Sequence, residues 1–328
     1  MKSISRKSFL KTSGIALGTL PFALSDFAAY SNETPGTTTG LKNTSLGSVA
    51  EKASISIFSK NLHWADVKKM ASLVAGMGFD GIDLTVRAGG HVTPENVTRD
   101  LPIAVKNIRE AGLEVYTITT DIKAADEKHT RQVLKAAANL GIYNYRMGWY
   151  DYDAKLSIPI GLEQLKKNLG GLAKLNEEYG IHGDYQNHHG RFGAAIWDLW
   201  LALKDLNPKW IGSQFDIRHA TLDGAESWPV SIELIKDYIG SICIKDFYWK
   251  NSGTKWEPVN VPLGEGMVNF SAYLKLLKKL GINKPISLHY EYALGGAESG
   301  NKSITMPENV VISKMKKDLA KLKSWLVV

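Results

Sequence analysis

A single cysteine, Cys243, stands in a chain of 328 residues, so no internal disulfide can form in any redox compartment. No cysteine closely follows the basic and apolar start of the chain, which argues against a lipoprotein anchor. The apolar stretch TSGIALGTLPFAL falls short of the roughly 20 residues needed to span a bilayer. Runs of Lys/Arg and basic–aromatic repeats are missing from the body of the chain. Four of the charges behind the net +7 (Lys2, Arg6, Lys7, Lys11) lie in the first eleven residues, leaving +3 for the rest. A nucleic-acid partner therefore has little to hold. No GxGxxG fingerprint follows the first strand candidate, so a nucleotide cofactor is not expected.

With 44% hydrophobic, 22% charged and 9% aromatic residues, the chain can build a large packed core. Residues 1–25 read as a signal peptide: the basic MKSISRKSFLK, the apolar run, then Ala23-Leu24-Ser25 with small residues at the −3 and −1 positions of a cleavage site. Ser5 to Lys11 resembles a twin-arginine export motif whose second arginine is lysine, a weak form of it. The expectation is an exported, periplasmic protein with no stable membrane insertion after cleavage. Residues 26–52, rich in Ser, Thr, Asn and Gly, read as a flexible linker.

Residues 53–328 alternate short β-branched runs with amphipathic helical patterns. The strands are expected at Ile55–Ser59, Gly81–Val86, Glu114–Thr120, Tyr143–Gly148, Ile181–Asn187, Gly212–Asp216, Ser241–Asp246 and Ile286–Tyr292, with helices such as Trp64–Met77 and Ile160–Tyr179 between them. Helix–Gly–strand junctions recur in GMGFDGIDL, REAGLEVYTI, ANLGIYNYR and KKLGINKPISL. Eight such units predict one α/β domain, a (β/α)8 TIM barrel, with a doubly wound open sheet as the alternative.

In such a barrel, polar residues at strand ends converge on one bowl. Asp184, Gln186 and His188 share a face of the fifth strand by period-2 alternation, at a cost unless they bind something or bond one another. Phe215-Asp216-Ile217-Arg218-His219 ends the sixth, Cys243-Ile244-Lys245-Asp246 the seventh and Leu288-His289-Tyr290-Glu291 the eighth. Arg87, His91, Arg146, Asp184 and Trp249 are candidate substrate handles, because fork-shaped donors and aromatic faces suit polyols. Trp197 and Trp200, three apart on a helical pattern, are expected in the core, and His63 and His129 at the surface. Gly264 and Gly266 in VPLGEGMVNF could turn a loop sharply enough to cradle a phosphate.

The motifs GMGFDGIDLTVRAGGHVTPENV, DYQNHH, QFDIRHA, IKDFYW, VPLGEGMVNF and PISLHYEY, in this order across nearly all of 53–328, resemble the xylose-isomerase-like TIM barrels, the sugar phosphate isomerase/epimerase-like proteins. The resemblance implies a carbohydrate substrate and a divalent metal (Mg, Mn or Zn type) held by Glu, Asp, His and Glu on strands five to eight. Asp216 and Glu291 match the second and fourth of these. Gln186 stands where the first glutamate belongs, and Cys243 is nearest to the histidine. A glutamine supplies no charge, so metal binding would need His188, His219 or His289 to join the shell. The metal set expected from the resemblance is thus Gln186, Asp216, His219 and Glu291. The catalytic set is His188, Lys245, His289 and Glu291. Three functions stay open: isomerisation or epimerisation by proton abstraction beside a carbonyl, β-elimination or hydrolysis of a 3-keto-glycoside with Glu291 or a histidine as base, and sugar binding without turnover.

Overall fold

The computed structural model describes residues 53–327. The expected signal peptide and linker lie outside the described residues.

Eight parallel strands close into a barrel: β1 (Ile55–Phe58), β2 (Gly81–Thr85), β3 (Glu114–Thr119), β4 (Asn144–Arg146), β5 (His182–Gln186), β6 (Ile211–Asp216), β7 (Ile239–Ile244) and β10 (Ile286–Leu288), with β10 pairing back onto β1. Each expected strand is present, displaced at its ends by a few residues at most. The eighth differs most: its ladder stops at Leu288, and His289 to Tyr292 continue past it over the bowl. Nine α-helices occur among the described residues: α1 (Val67–Met77), α2 (Val97–Glu110), α3 (Thr130–Asn139), α4 (Ile158–Tyr179), α5 (Ile196–Leu203), α6 (Ile217–Gly224), α7 (Trp228–Ile235), α8 (Phe270–Lys279) and α9 (Glu308–Leu326). Two of them, α6 and α7, connect β6 to β7. Between β7 and β10 the chain also builds an antiparallel hairpin, β8 (Asp246–Asn251) and β9 (Trp256–Val261), which the sequence pattern does not announce.

Helix α1 shows how the outer ring forms. The Asp66 carboxylate accepts from the Lys69 N–H at 2.8 Å and caps the start. Met70, Val74 and Met77 recur on one face and are buried, which stabilises by roughly 1.5–3 kcal/mol per large side chain. Gly78, with φ 90°, ends the helix in the left-handed region and turns the chain into β2.

The tryptophan expectation fails for Trp197. Helix α5 buries Ile196, Leu199, Ala202 and Leu203, and Trp197 falls on the other side of that face, 53% exposed, with Trp200 half-buried beside it.

The lumen is polar to an unusual degree for a barrel, with Asp83, Asn144, Arg146, Asp184, Gln186, Gln214 and Asp216 all buried. Part of this is structural. Asp184 accepts from Asn144 (3.0 Å) and Ser241 (2.8 Å), and its other oxygen lies 3.0 Å from His182 Nε2. Gly240 is required beside it, because a Cβ there would come within 2.2 Å of Asp184 Oδ1. Asp184 is therefore part of a closed network deep in the barrel, a correction to its expected role as a substrate handle.

Candidate active site

Lys245, just past β7, lies at the centre of the bowl. It is 2% exposed, and its ammonium sits 3.2 Å from Asp216 Oδ2 and 3.0 Å from Glu291 Oε1. Burial opposes the Lys245 charge, but Asp216 and Glu291 outweigh it and hold the ammonium above its ordinary value. Burial likewise opposes the Glu291 charge. Lys245, with Lys60, outweighs that and keeps the carboxyl well below the usual range.

Asp216 is fixed from several sides. Its Oδ1 caps α6 by accepting from the His219 N–H at 3.1 Å. Its backbone is clamped to β5 by Asn187, which donates to the Asp216 carbonyl (3.0 Å) and accepts from the Asp216 N–H (2.7 Å). Its Oδ2 also accepts from Gln186 Nε2 at 2.8 Å, while Gln186 Oε1 accepts from Arg146 Nη1 at 2.8 Å.

These contacts decide whether a divalent cation fits the residues as they stand. Gln186 presents its N–H, not its carbonyl, to Asp216, and its carbonyl is taken by Arg146. His219 Nδ1 accepts from the His189 N–H (3.1 Å) and faces Arg218 Nη1 (3.0 Å), which places the ring proton on Nε2, the atom a metal would need bare. Lys245 fills the gap between the two carboxylates. The expected set of Gln186, Asp216, His219 and Glu291 is brought together, but as a hydrogen-bonded network around an ammonium. Among the described residues no group of three or more His, Cys, Asp or Glu is arranged to hold a metal.

The imidazoles around this centre are neutral. His188, tilted against Trp149 and His219 (ring centroids 4.3 and 4.0 Å), has its pKa pushed down to about 4 by burial and by Lys245. Its Nδ1 lies 2.9 Å from the His189 carbonyl, which can only accept, so Nδ1 carries the proton and Nε2 keeps a free lone pair. Burial, then Lys245, also lowers His289 well below its ordinary value. That ring stacks on Phe58 (4.3 Å between centroids) and contacts Ser287 Oγ at 3.1 Å, and Ser287 donates to buried Asp83 at 2.7 Å.

Of the expected handles, Arg146 and Arg87 reach the bowl, each with its guanidinium carbon 5.7 Å from the Phe58 ring centroid. His91 packs at the rim instead, bonded through both ring nitrogens, to Thr85 (3.3 Å) and the Ala65 carbonyl (3.2 Å). Trp249 stands on the β8–β9 hairpin against Phe247. From the same hairpin, Asn260 links Arg218 (2.8 Å) to Glu291 (3.5 Å). His63, expected at the surface, contacts Thr85 (3.0 Å) and the Gly300 carbonyl (3.2 Å), and burial with nearby His91 lowers its pKa to about 3. His129 does stay near the surface, beside Glu95. The phosphate cradle is also corrected: the N–H groups of Gly264, Gly266 and Val268 already point at the Asp246 carboxylate (2.8–3.3 Å).

Lys60 escaped the sequence reading. It lies two residues past the end of β1, and Ser59-Lys60-Asn61 is the same polar strand-end signal used for strands five to eight.

The profile described as xylose isomerase-like TIM barrel matches residues 71–306. An uncharacterized protein of Methanocaldococcus jannaschii is 24% identical over 237 residues, covering 66% of this chain and 76% of its own length. Among solved structures, a D-tagatose 3-epimerase-like protein superposes with a TM-score of 0.61 at 18% identity, covering 83% of this chain and 97% of its own. The 3-keto-D-glucoside 4-epimerase of E. coli does so with a TM-score of 0.60 at 15% identity, covering 83% and 100%. At those identities the likeness is one of fold. The profile match over most of the chain adds the family, and the chain belongs to the xylose isomerase-like TIM barrels.

Proposed function

We propose that the chain is a sugar isomerase/epimerase-type enzyme that removes the proton beside the carbonyl of a keto-sugar, and that Lys245 stabilises the resulting enolate. The observation that carries this is the buried Lys245 ammonium, held by Asp216 and Glu291 among neutral imidazoles. A neutral imidazole can accept a proton, and a fixed ammonium meets the developing oxyanion without reorganisation. His188 Nε2 is the base with a free lone pair; the Lys245 ammonium, kept charged by Glu291, is the protonated group that can return a proton to the enolate carbon, after which His188 gives its proton to solvent and Lys245 regains one. The role expected of a divalent ion falls to Lys245. The named neighbours, a tagatose 3-epimerase-like protein and a 3-keto-glucoside 4-epimerase, support a keto-sugar substrate. Reading residues 1–25 as an export signal adds that the sugar is free or glycosidically linked.

A second reading is favoured by Gln186, which is locked between Arg146 and Asp216 and cannot act as a base. One base suffices for β-elimination: His188 takes the α-proton of a 3-keto-glycoside, the enolate re-forms the carbonyl, and the aglycone leaves from the β-carbon and is protonated. Both readings are tested by NMR in D2O on chelator-dialysed protein supplied with keto-sugars. Deuterium is expected at the carbon beside the carbonyl. An epimeric product supports the first reading and a released aglycone the second. No exchange with any keto-sugar, or exchange only on adding a divalent metal, refutes the proposed chemistry.

A further inference from the structure

The bowl carries more positive charge than its own carboxylates balance. Lys60, Arg87, Arg146 and Lys245 gather around Phe58 and His289: the Lys60 ammonium and both guanidinium carbons lie 5.7 Å from the Phe58 ring centroid. Lys245 uses Asp216 and Glu291. Arg87 reaches only Asp121, at 3.8 Å, whose side chain is 59% exposed. Among the described residues no carboxylate lies within 4.0 Å of a nitrogen of Arg146 or Lys60. Arg146 is 1% exposed, its Nη1 is bonded to the neutral Gln186, and its Nε has no partner among the described residues. Leaving a buried guanidinium without a counter-ion costs several kcal/mol unless something else supplies the charge. The pKa directions agree with the crowding. Burial, then Arg87, pulls Arg146 down to about 10; burial also lowers Lys60, with Glu291 opposing and Lys245, Arg87 and Arg146 adding to the fall.

We propose that Lys60, Arg87 and Arg146 form an anion subsite that receives the carboxylate of a sugar acid, so that the substrate is a keto-uronate or keto-aldonate type sugar, not a neutral one. This rests on the reading of the bowl as a sugar site. A carboxylate is planar and matches the guanidinium fork, and here it would face two guanidiniums and an ammonium beside the Phe58 face. The Lys245 ammonium is left free for the carbonyl end of the same molecule.

The test is calorimetric titration of the full chain with D-glucuronate and D-galacturonate, against D-glucose and D-galactose as neutral counterparts and their 6-phosphates as the other anion source. The uronates are expected to bind about tenfold or more tightly than the neutral sugars, since a hydrogen bond to a charged group contributes on the order of 1.5–3 kcal/mol. The preference should shrink as salt is raised. Arg87→Gln and Lys60→Gln, both outside the fully buried core, should each lower uronate affinity by more than they lower neutral-sugar affinity, shrinking the preference; Arg146→Lys should shrink it too, with charge retained. Neutral sugars binding as well as uronates, or a preference untouched by all three variants, overturns the subsite and leaves the sugar reading standing. Tighter binding of the 6-phosphates overturns the carboxylate assignment. Binding of none of the six overturns both.

Discussion

Replacing Lys245 with Met tests the centre of the site, because the two side chains are of similar length and only the charge is lost. The ammonium makes two charge-assisted contacts, 3.0 Å to Glu291 and 3.2 Å to Asp216, with 2% of the side chain exposed. Without it two carboxylates face each other with no cation between them, and breaking a buried pair in this way costs on the order of 3–5 kcal/mol. The pH dependence gives a sharper check. In the wild type the Glu291 pKa is depressed, so its contribution is present above its ordinary value near 4.5 and is lost only as pH falls towards the depressed one. The Lys245 pKa is raised, so its contribution is complete below 10.5 and is lost as pH rises through the raised value. The pair thus contributes a constant amount between about pH 5 and pH 10. In Lys245→Met, burial dominates Glu291 and raises its pKa. Lys60 offers little relief, since burial disfavours its own ammonium. The folded variant then holds a proton that the unfolded chain releases above its ordinary pKa, so stability falls as pH rises. Guanidinium unfolding at pH 5 and pH 8 should show a larger deficit at pH 8. A deficit below about 1 kcal/mol, or one equal at the two pH values, would refute the account of the ion-pair centre. Turnover of a keto-sugar should fall by about 10²–10³-fold, the loss typical of removing one oxyanion-stabilising donor.

Two further outcomes follow from single side chains. His188→Gln should reduce turnover by roughly 10²–10⁴-fold with the unfolding midpoint nearly unchanged; because the wild-type imidazole stays neutral down to about pH 4, the acid limb of the pH–rate profile should fall there, and a limb near 6.5 would exclude His188 as the base. Asp246→Ala should cost on the order of 2–4 kcal/mol, since the N–H groups of Phe247, Gly264, Gly266 and Val268 lose a shared acceptor. Hydrogen exchange of the 264–268 amides checks this, and unchanged protection would count against it.

The barrel was legible because the parallel strands are largely buried and read as short β-branched runs, several of them preceded by a helix-ending glycine in the left-handed region that favours glycine, as at Gly78. The hairpin was not: DFYWKN and WEPVNV are mixed in polarity, with Pro258 inside the second strand, and no apolar alternation marks them. Period-2 spacing put Asp184 and Gln186 correctly in the lumen, but sharing a face does not say how deep each lies or what it meets. Asp184 is held by Asn144 and Ser241, 40 and 57 residues away, partners that only the closed barrel brings together. Trp197 misled for the opposite reason: it has helical spacing with Trp200, yet the apolar face of α5 is set by Ile196, Leu199 and Leu203.

The mismatches at Gln186 and Cys243 make sense only when Lys245 is counted with them. The metal centre that the resemblance implies carries three carboxylates and a divalent cation, a net charge of minus one. Here two carboxylates, Asp216 and Glu291, surround one ammonium, and that trio alone carries minus one again, with the Arg146 guanidinium behind it on the other end of Gln186. Had a glutamate stood at 186, one oxygen would have paired with Arg146, but the other would have met the Asp216 carboxylate where the amide N–H now donates at 2.8 Å, two like charges with no donor between them. Gln186 removes that charge and still bridges Arg146 to Asp216 through both ends of its amide, which a carboxylate, lacking a donor, could not do. On β7 the histidine position holds an apolar, fully buried Cys243, and the cation arrives from the next residue on the same face, Lys245, at the mouth of the barrel. The residues at 186, 243 and 245 therefore act as one set, with Gln186 and Lys245 both meeting Asp216. Restoring Gln186→Glu alone should destabilise the protein, whereas Gln186→Glu combined with Lys245→Met should gain measurable affinity for a divalent ion by calorimetry; a double variant that binds none would show that the bowl has lost more of a metal site than these positions.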